Sequence, residues 1–325
     1  MEPDTACPEL SVVVSCFFEE ESIDEFHRRL SRTLDETGTS YEIVFVDDGS
    51  RDATLERLHA IYERDPRVRA VVDLYRNSGQ PAAVTAGASF ARGRRFVFLD
   101  SDLQLDPEAL PRLLEVSDQG HDVVCGYREI RHDSWARRLV SRLANSLLRR
   151  VARTEVRDFG CNFRVIDGGL VRAFGFGPFK VIRLASLLAA AGSCAEVPVD
   201  HHPRPYGRSG WTGTQLLSYW MDNAVLLSRR PFQLLSLLCF GVGLLLVLRV
   251  LLGLVLPVPV LSSVSNGLVL NALAFSLLVI VGVSAGIGEY VIRSFLMLQG
   301  SPAYIVRSAR VREAGGDEAR GPGAP

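Results

Sequence analysis

In the stretch RRFVFLDSDLQLDPEAL, residues 94–110, an apolar run from Phe96 to Leu99 ends in Asp100, Ser101 and Asp102, with Gln104 and Asp106 close behind. The run predicts a buried strand, and an isolated buried carboxylate is costly unless it is paired or holds a cation. Two carboxylates one residue apart at a strand end can share a divalent ion. Hard oxygen ligands suit Mg2+ or Mn2+, which keep positions open for phosphate oxygens. Such an ion neutralises a diphosphate leaving group, acting as Lewis acid and template. Taken alone, D-x-D is equally compatible with an exposed acidic turn ahead of a helix. Two more acidic clusters follow predicted strands: Glu19 and Glu20 after residues 10–16, and Asp47-Asp48-Gly49-Ser50 after residues 41–46. An acid in the second cluster can reach the base or ribose of a nucleotide. The G-x-G-x-x-G fingerprint of nicotinamide-binding folds is absent, which argues against a dehydrogenase.

These clusters need a scaffold that brings strand ends together. Apolar, β-branched runs at 10–16, 41–46, 68–74, 96–99 and 122–125 alternate with helical segments from 19–21 to about 35, at 51–63, 79–91 and 107–118. Pro107 suits the first turn of the last of these. This β-α alternation, with strands apolar throughout, predicts an α/β fold with a parallel sheet covered on both faces. Ligands of such sheets bind beyond the carboxyl ends of the strands, where the acidic clusters fall.

The chain has 325 residues, with 36 Lys+Arg against 37 Asp+Glu, so no net field points to nucleic acid. Cysteines at 7, 16, 125, 161, 194 and 239 form no C-x-x-C pair and predict reduced thiols. The acidic N-terminus, MEPDTACPEL, lacks the apolar core of a signal peptide. From Pro231 to Gly288 the only charge is Arg249. That length suffices for two crossings of a bilayer at roughly 20 residues each. The crossings are expected near 232–256 and 267–289, joined by PVPVLSSVSNG at 257–267. Arg229 and Arg230 precede them and Arg293, Arg307 and Arg310 follow, so both ends are expected in the cytoplasm. A buried hairpin of a soluble protein is the alternative. Ser134–Val151 carries Trp135, Leu139, Leu143, Leu147 and Val151 on one face, with arginines over most of the other. It reads as a surface helix or as one lying at a membrane interface. Gln215–Leu227 is expected to be a second interfacial helix, and the tail after Arg310, ending GGDEARGPGAP, is expected to be disordered.

Seven stretches in order carry a resemblance: YEIVFVDDGSRDAT (41–54), RNSGQPAAVTAG (76–87), FLDSDLQLDPEAL (98–110), REIRHDSWARRLVSRLAN (128–145), RDFGCNFRVID (157–167), RPYGRSGW (204–211) and GEYVIRSFLMLQGSPAYIV (288–306). Together they resemble family 2 glycosyltransferases of the GT-A fold. They are similar to the polyprenyl-phosphate group that includes dolichol-phosphate mannose synthases and bacterial undecaprenyl-phosphate sugar transferases. The resemblance implies a GT-A (Rossmann-like) catalytic domain at 8–210 and an interfacial helix at 211–230. A two-helix transmembrane hairpin at 231–290 and a cytoplasmic C-terminal segment at 291–325 would follow. It implies inverting transfer of a sugar from a nucleotide-diphosphate sugar, UDP-linked, to polyprenyl phosphate. The setting would be the inner membrane, with the catalytic domain and both termini cytoplasmic, and the assembly a homotetramer.

The site residues carry over one by one. Asp100, Asp102 and Gln104 match the motif that binds Mg2+ or Mn2+ and the diphosphate, with Ser101 in place of the usual Ala. Ser15, Phe17, Glu19, Val46, Asp48, Ser101, Gln104 and Arg204 are implied on the donor side, Asp48 at the base or ribose and Arg204 closing over the diphosphate. Arg128, Arg137 and Ser141 are implied at the acceptor phosphate, which needs fixed guanidinium donors. Asp158 is the candidate base or orienting group; a helix cap or a partner for Arg157 or Arg164 are its plainer readings. The sequence departs from the family pattern at VSCFFEE (14–20), where Pro, Tyr and Asn are usual, at Ser209-Gly210-Trp211, which lacks a Lys, and at Gln80, where many relatives have Lys. Processive members of the family commonly carry Q-x-x-R-W and more membrane helices, and neither is present. A catalytically inactive scaffold is the remaining rival, against which Asp100, Asp102 and Arg204 stand intact.

Overall fold

The computed structural model describes residues 7–128, 149, 154–205, 241, 266–298, 302–313 and 316–320. Four strands form the centre of one sheet: β1 (Leu10–Cys16), β2 (Tyr41–Asp47), β3 (Val68–Leu74) and β4 (Arg95–Asp100). They run parallel in the order β4-β1-β2-β3. Val12, Val13, Val14, Val44, Phe45, Val97 and Phe98 are buried, so both faces of these strands are covered. That double burial is why the strands read as continuous apolar runs rather than alternating ones.

Helices α1 (Ile23–Thr37) and α2 (Thr54–Arg64) follow β1 and β2. Phe26, Leu30 and Leu34 of α1 and Leu58 and Ile61 of α2 pack in the same buried cluster as Phe45 and Val71. Helix α3 (Gln80–Ala88) is made of small residues, and its approach to the sheet explains them. A Cβ added at Gly87 would lie 2.5 Å from Val13 Cγ1 and 2.7 Å from Val46 Cγ2. Helix α4 (Leu110–Ser117), preceded by a 3-10 turn at Pro107–Ala109, leads to β5 (Val123–Arg128).

The sheet is mixed, not purely parallel as the alternation suggested. Strand β6 (Arg164–Asp167) runs antiparallel between β4 and β5. It continues into α5 (Gly168–Ala173) and α6 (Leu184–Ala190), and β7 (Cys194–Val199) closes that edge parallel to β5. At the other edge, β8 (Val306–Glu313) lies antiparallel to β3 and carries β9 (Gly316–Arg320). The expected disorder after Arg310 is therefore corrected for residues 311–313 and 316–320. Ala309 and Val311 are buried there, and Arg312 lies over the Tyr62 ring at 4.4 Å while donating to the carbonyls of Tyr62 and Asp65. Pro302–Pro325 forms one compact unit with Met1–Asn223, and Ala224–Ser301 forms the other.

In the second unit, α7 (Asn266–Leu298) spans 33 residues and starts at the predicted second crossing but runs nine residues past its expected end at 289. Phe275–Ile292 is long and apolar enough to cross a membrane. Leu273, Phe275, Leu277 and Ile280 are exposed, an apolar surface of the kind that lipid or another protein covers. Arg293 falls inside this helix, and Arg307 and Arg310 fall in β8. The predicted first crossing, the interfacial helices and Cys239 lie outside the described residues. Among the described cysteines, all are free, with Cys16, Cys125 and Cys161 buried.

Candidate active site

Asp100 is the last residue of β4, and the chain turns there through Ser101, Asp102 and Leu103. Register puts Ser15 of β1 directly beside Asp100. Three neutral donors converge on Asp100 Oδ1: Gln80 Nε2 at 2.5 Å, Asn162 Nδ2 at 2.8 Å and Ser15 Oγ at 3.3 Å. Its Oδ2 accepts no bond among the described residues. Burial and then the charge of Asp102 raise the proton affinity of Asp100, while Asn162 and Gln80 pull against them.

Asp102 is arranged differently. Its Oδ1 accepts from the backbone N–H of Gln104 at 3.0 Å, and its Oδ2 accepts from the Arg204 guanidinium at 2.7 Å. Arg204 also lies 3.9 Å from Glu19 Oε1. Glu19 is buried, accepts from Ser22 Oγ at 2.5 Å, and burial pushes its pKa up to about 7. Ser101 Oγ donates to the Ser15 carbonyl at 3.2 Å, tying the two strand ends together. Gln104 donates through Nε2 to the His202 carbonyl at 3.4 Å, and the His202 N–H donates to the Gln104 carbonyl at 2.9 Å. These bonds bring the segment before Arg204 alongside the acids. Phe18 and Leu103 take the left-handed backbone region at φ 57° and 56°, one in each loop beside the carboxylates. Bulky residues seldom accept that conformation outside functional loops.

The 41–54 motif has a second task. Asp48 is buried and accepts from the N–H groups of Ser78 at 2.7 Å and Gly79 at 2.9 Å. Burial pushes its pKa up to about 6, and those two N–H donors restrain the rise. Gly49, at φ +74°, lets the turn lie on the 76–79 loop, where a Cβ would sit 2.6 Å from the Arg76 carbonyl carbon. Asp48 thus latches the loop that delivers Gln80 to Asp100. Phe17 is partly exposed, its ring 4.4 Å from that of Phe18. Val46, implied on the donor side, has a fully buried side chain, its Cγ2 2.7 Å from where a Cβ at Gly87 of α3 would lie.

At the end of β5, Arg128 holds Asp158. Its Nε and Nη2 donate to the two carboxylate oxygens at 2.8 and 3.0 Å, and its backbone N–H approaches Oδ2 at 3.3 Å. Asp158 is 3% exposed. Among the described residues its ion-pair partner is Arg128, neither Arg157 nor Arg164, the two considered from sequence. Arg157 pairs with Glu196, whose Oε1 also accepts from the N–H groups of Arg157 and Asp158. Arg137 and Ser141 lie outside the described residues. His202 pairs with Asp106 at 2.7 Å.

Ser15, Glu19, Asp100, Ser101, Asp102, Gln104 and Arg204 are therefore drawn together. Asn162 was missed. It lies inside the quoted stretch RDFGCNFRVID, but a lone amide carries no recognisable chemistry until its acceptor is known. The donor set fits a hard divalent cation: two carboxylates one residue apart, one with an oxygen uncommitted among the described residues.

Residues 11–176 match the family described as "Glycosyl transferase family 2", and the chain belongs to that family. It is a glycosyltransferase with the mixed sheet of a GT-A fold. It is 34% identical over 309 residues to an undecaprenyl-phosphate 4-deoxy-4-formamido-L-arabinose transferase of Edwardsiella ictaluri, covering 92% of this chain and 93% of that protein. A Pseudomonas aeruginosa protein of the same name is 36% identical over 310 residues, covering 91% of this chain and 89% of that one. Among solved structures, glucosyl-3-phosphoglycerate synthase from Mycobacterium tuberculosis in complex with Mn2+ and UDP-glucose is similar at 20% identity and a TM-score of 0.48, over 66% of this chain and 79% of that one.

Proposed function

We propose that this protein transfers a sugar from a nucleotide-diphosphate sugar, UDP-linked, to undecaprenyl phosphate at the inner membrane. The observation that carries the reading is the near full-length similarity to undecaprenyl-phosphate sugar transferases, which extends through the apolar segment as well as the catalytic domain. An apolar helix of 33 residues supports a membrane setting for a lipid acceptor. The proposed topology has two crossings, with the catalytic domain and both termini cytoplasmic.

Asp100 and Asp102, with Gln104 beside them, would hold Mg2+ or Mn2+. When bound, the cation neutralises charge on the departing diphosphate. Arg204, resting on Asp102, would add a guanidinium to the same diphosphate. Asp48, Phe17 and Glu19 line the donor side. Arg128, with Arg137 and Ser141, would fix the lipid phosphate. An oxygen of that phosphate attacks the anomeric carbon, the bond to the diphosphate breaks, and the nucleoside diphosphate leaves with inversion at the sugar carbon. The nucleophile is already anionic, so no strong base is required. Alignment and charge neutralisation lower the barrier. Asp158, doubly bonded to Arg128, is therefore read as the group that orients this arginine, not as a base.

The test is a donor panel. Purified full-length protein is incubated with undecaprenyl phosphate and a series of UDP- and GDP-sugars, and lipid products are followed by mass spectrometry. A lipid-phosphate sugar from a UDP donor is expected. Transfer to a soluble glycan with none to the lipid would overturn the acceptor assignment.

A further inference from the structure

The three carboxylates best placed to be compared, Asp100, Asp102 and Asp158, have partners of different charge. Asp102 and Asp158 each meet a guanidinium, whereas Asp100 is met by the amides of Gln80 and Asn162 and the hydroxyl of Ser15. All three neutral groups fall on the same oxygen, Oδ1. The amide orientations are dictated chemically: an ionised carboxylate only accepts, so each amide must turn its nitrogen toward it. The donors come from three separate parts of the fold, the end of β1, the first residue of α3 and the loop before β6. Each is built in. Gly79 and the Asp48 latch set the start of α3, and Asn162 is 4% exposed.

We infer that Asn162 and Gln80 are positioning residues for the cation site. They saturate Oδ1 of Asp100, fix the plane of its carboxylate and leave Oδ2 as the oxygen presented to the metal. Because both are neutral, they orient the carboxylate without cancelling the charge that attracts a cation. A Lys at position 80 would place an ammonium on that oxygen and oppose cation binding. Outer partners of a metal ligand commonly set affinity in this way. The inference rests on the reading of Asp100 as a cation ligand.

The experiment measures Mn2+ binding to the full-length protein in detergent, by the electron paramagnetic resonance signal of free Mn2+. Asn162→Ala, Gln80→Ala, Gln80→Lys and Asp100→Asn are compared with the parent. Thermal melts run in parallel. Each alanine variant is expected to weaken Mn2+ binding at least about 10-fold. The Gln80→Lys variant should weaken it further, and turnover by the alanine variants should largely recover at saturating Mn2+. Gln80 is only partly buried at a helix start, so its variants test the inference even where Asn162→Ala lowers the melting temperature. Unchanged Mn2+ affinity in both alanine variants, with binding abolished by Asp100→Asn, would overturn the positioning role alone. Mn2+ binding that survives Asp100→Asn would overturn the cation reading beneath it.

Discussion

The carboxylates at the end of β4 and the Arg128–Asp158 pair at the end of β5 are held in opposite ways. At β4, three acids, Glu19, Asp100 and Asp102, have one guanidinium in direct contact among the described residues, that of Arg204. Neutral groups make up the rest of the first contacts of Asp100. At β5, one carboxylate takes both arms of one guanidinium, with a backbone N–H in addition. Among the described residues the first arrangement sets three carboxylates against one guanidinium, and the second sets one against one. A site that keeps surplus charge in partly buried surroundings is built to receive a cation, while a matched pair is built to hold its members still. On the proposed reading, the same residue type, aspartate at the carboxyl end of a strand or just before one, serves a ligand in one place and a neighbour in the other.

Substitutions can break this contrast. Asp100→Ala removes the acid with an uncommitted oxygen, and turnover is expected to fall roughly 10³-fold, the several kcal/mol that a Lewis-acid cation supplies. Asp158→Asn keeps the shape but removes the charge matching Arg128. Its expected cost is about 10–100-fold in kcat/KM for the lipid phosphate, through misplacement of the arginine, with Mn2+ affinity unchanged. A loss of Mn2+ binding in that variant would erase the distinction between the two regions.

A smaller effect should appear in stability. The folded state holds the Glu19 proton with a pKa of about 7 against an ordinary 4.5, so it binds that proton more tightly than the unfolded chain does. This contribution to stability is present below about pH 4.5 and is lost as pH rises through about 7. Glu19→Gln should therefore melt higher than the parent at pH 8, with the gap closing toward pH 4.5. A pH-independent difference in melting temperature would contradict the assignment.

How much of this was legible depended on the kind of signal. Continuous apolar strands ending in acids gave the central sheet and the Asp100–Asp102 site, because burial on both faces and the cost of lone charges leave few alternatives. The contact of Arg204 with Asp102, 102 positions away in sequence, was accessible only through family resemblance. The end of β8, after Arg310, was read as part of a disordered tail, although Ala309 and Val311 alternate with arginines in the period of a half-buried strand. Its pairing partner, β3, lies on the other side of the apolar segment in sequence, and no local rule connects them. Asn162 was invisible for another reason: an amide acquires meaning from the acceptor it faces, and that acceptor is 62 residues away. The Arg128–Asp158 pair was named residue by residue but not as a pair, since several arginines near Asp158 were equally placed in sequence.

The most direct test of the central claim is transfer of sugar to undecaprenyl phosphate by the purified protein, measured with and without EDTA and after readdition of metal. The account predicts a lipid-phosphate sugar whose formation stops in EDTA, returns with Mn2+ or Mg2+, and does not return in Asp100→Ala. Product that persists undiminished in EDTA, or that Asp100→Ala forms at the parent rate, would contradict it.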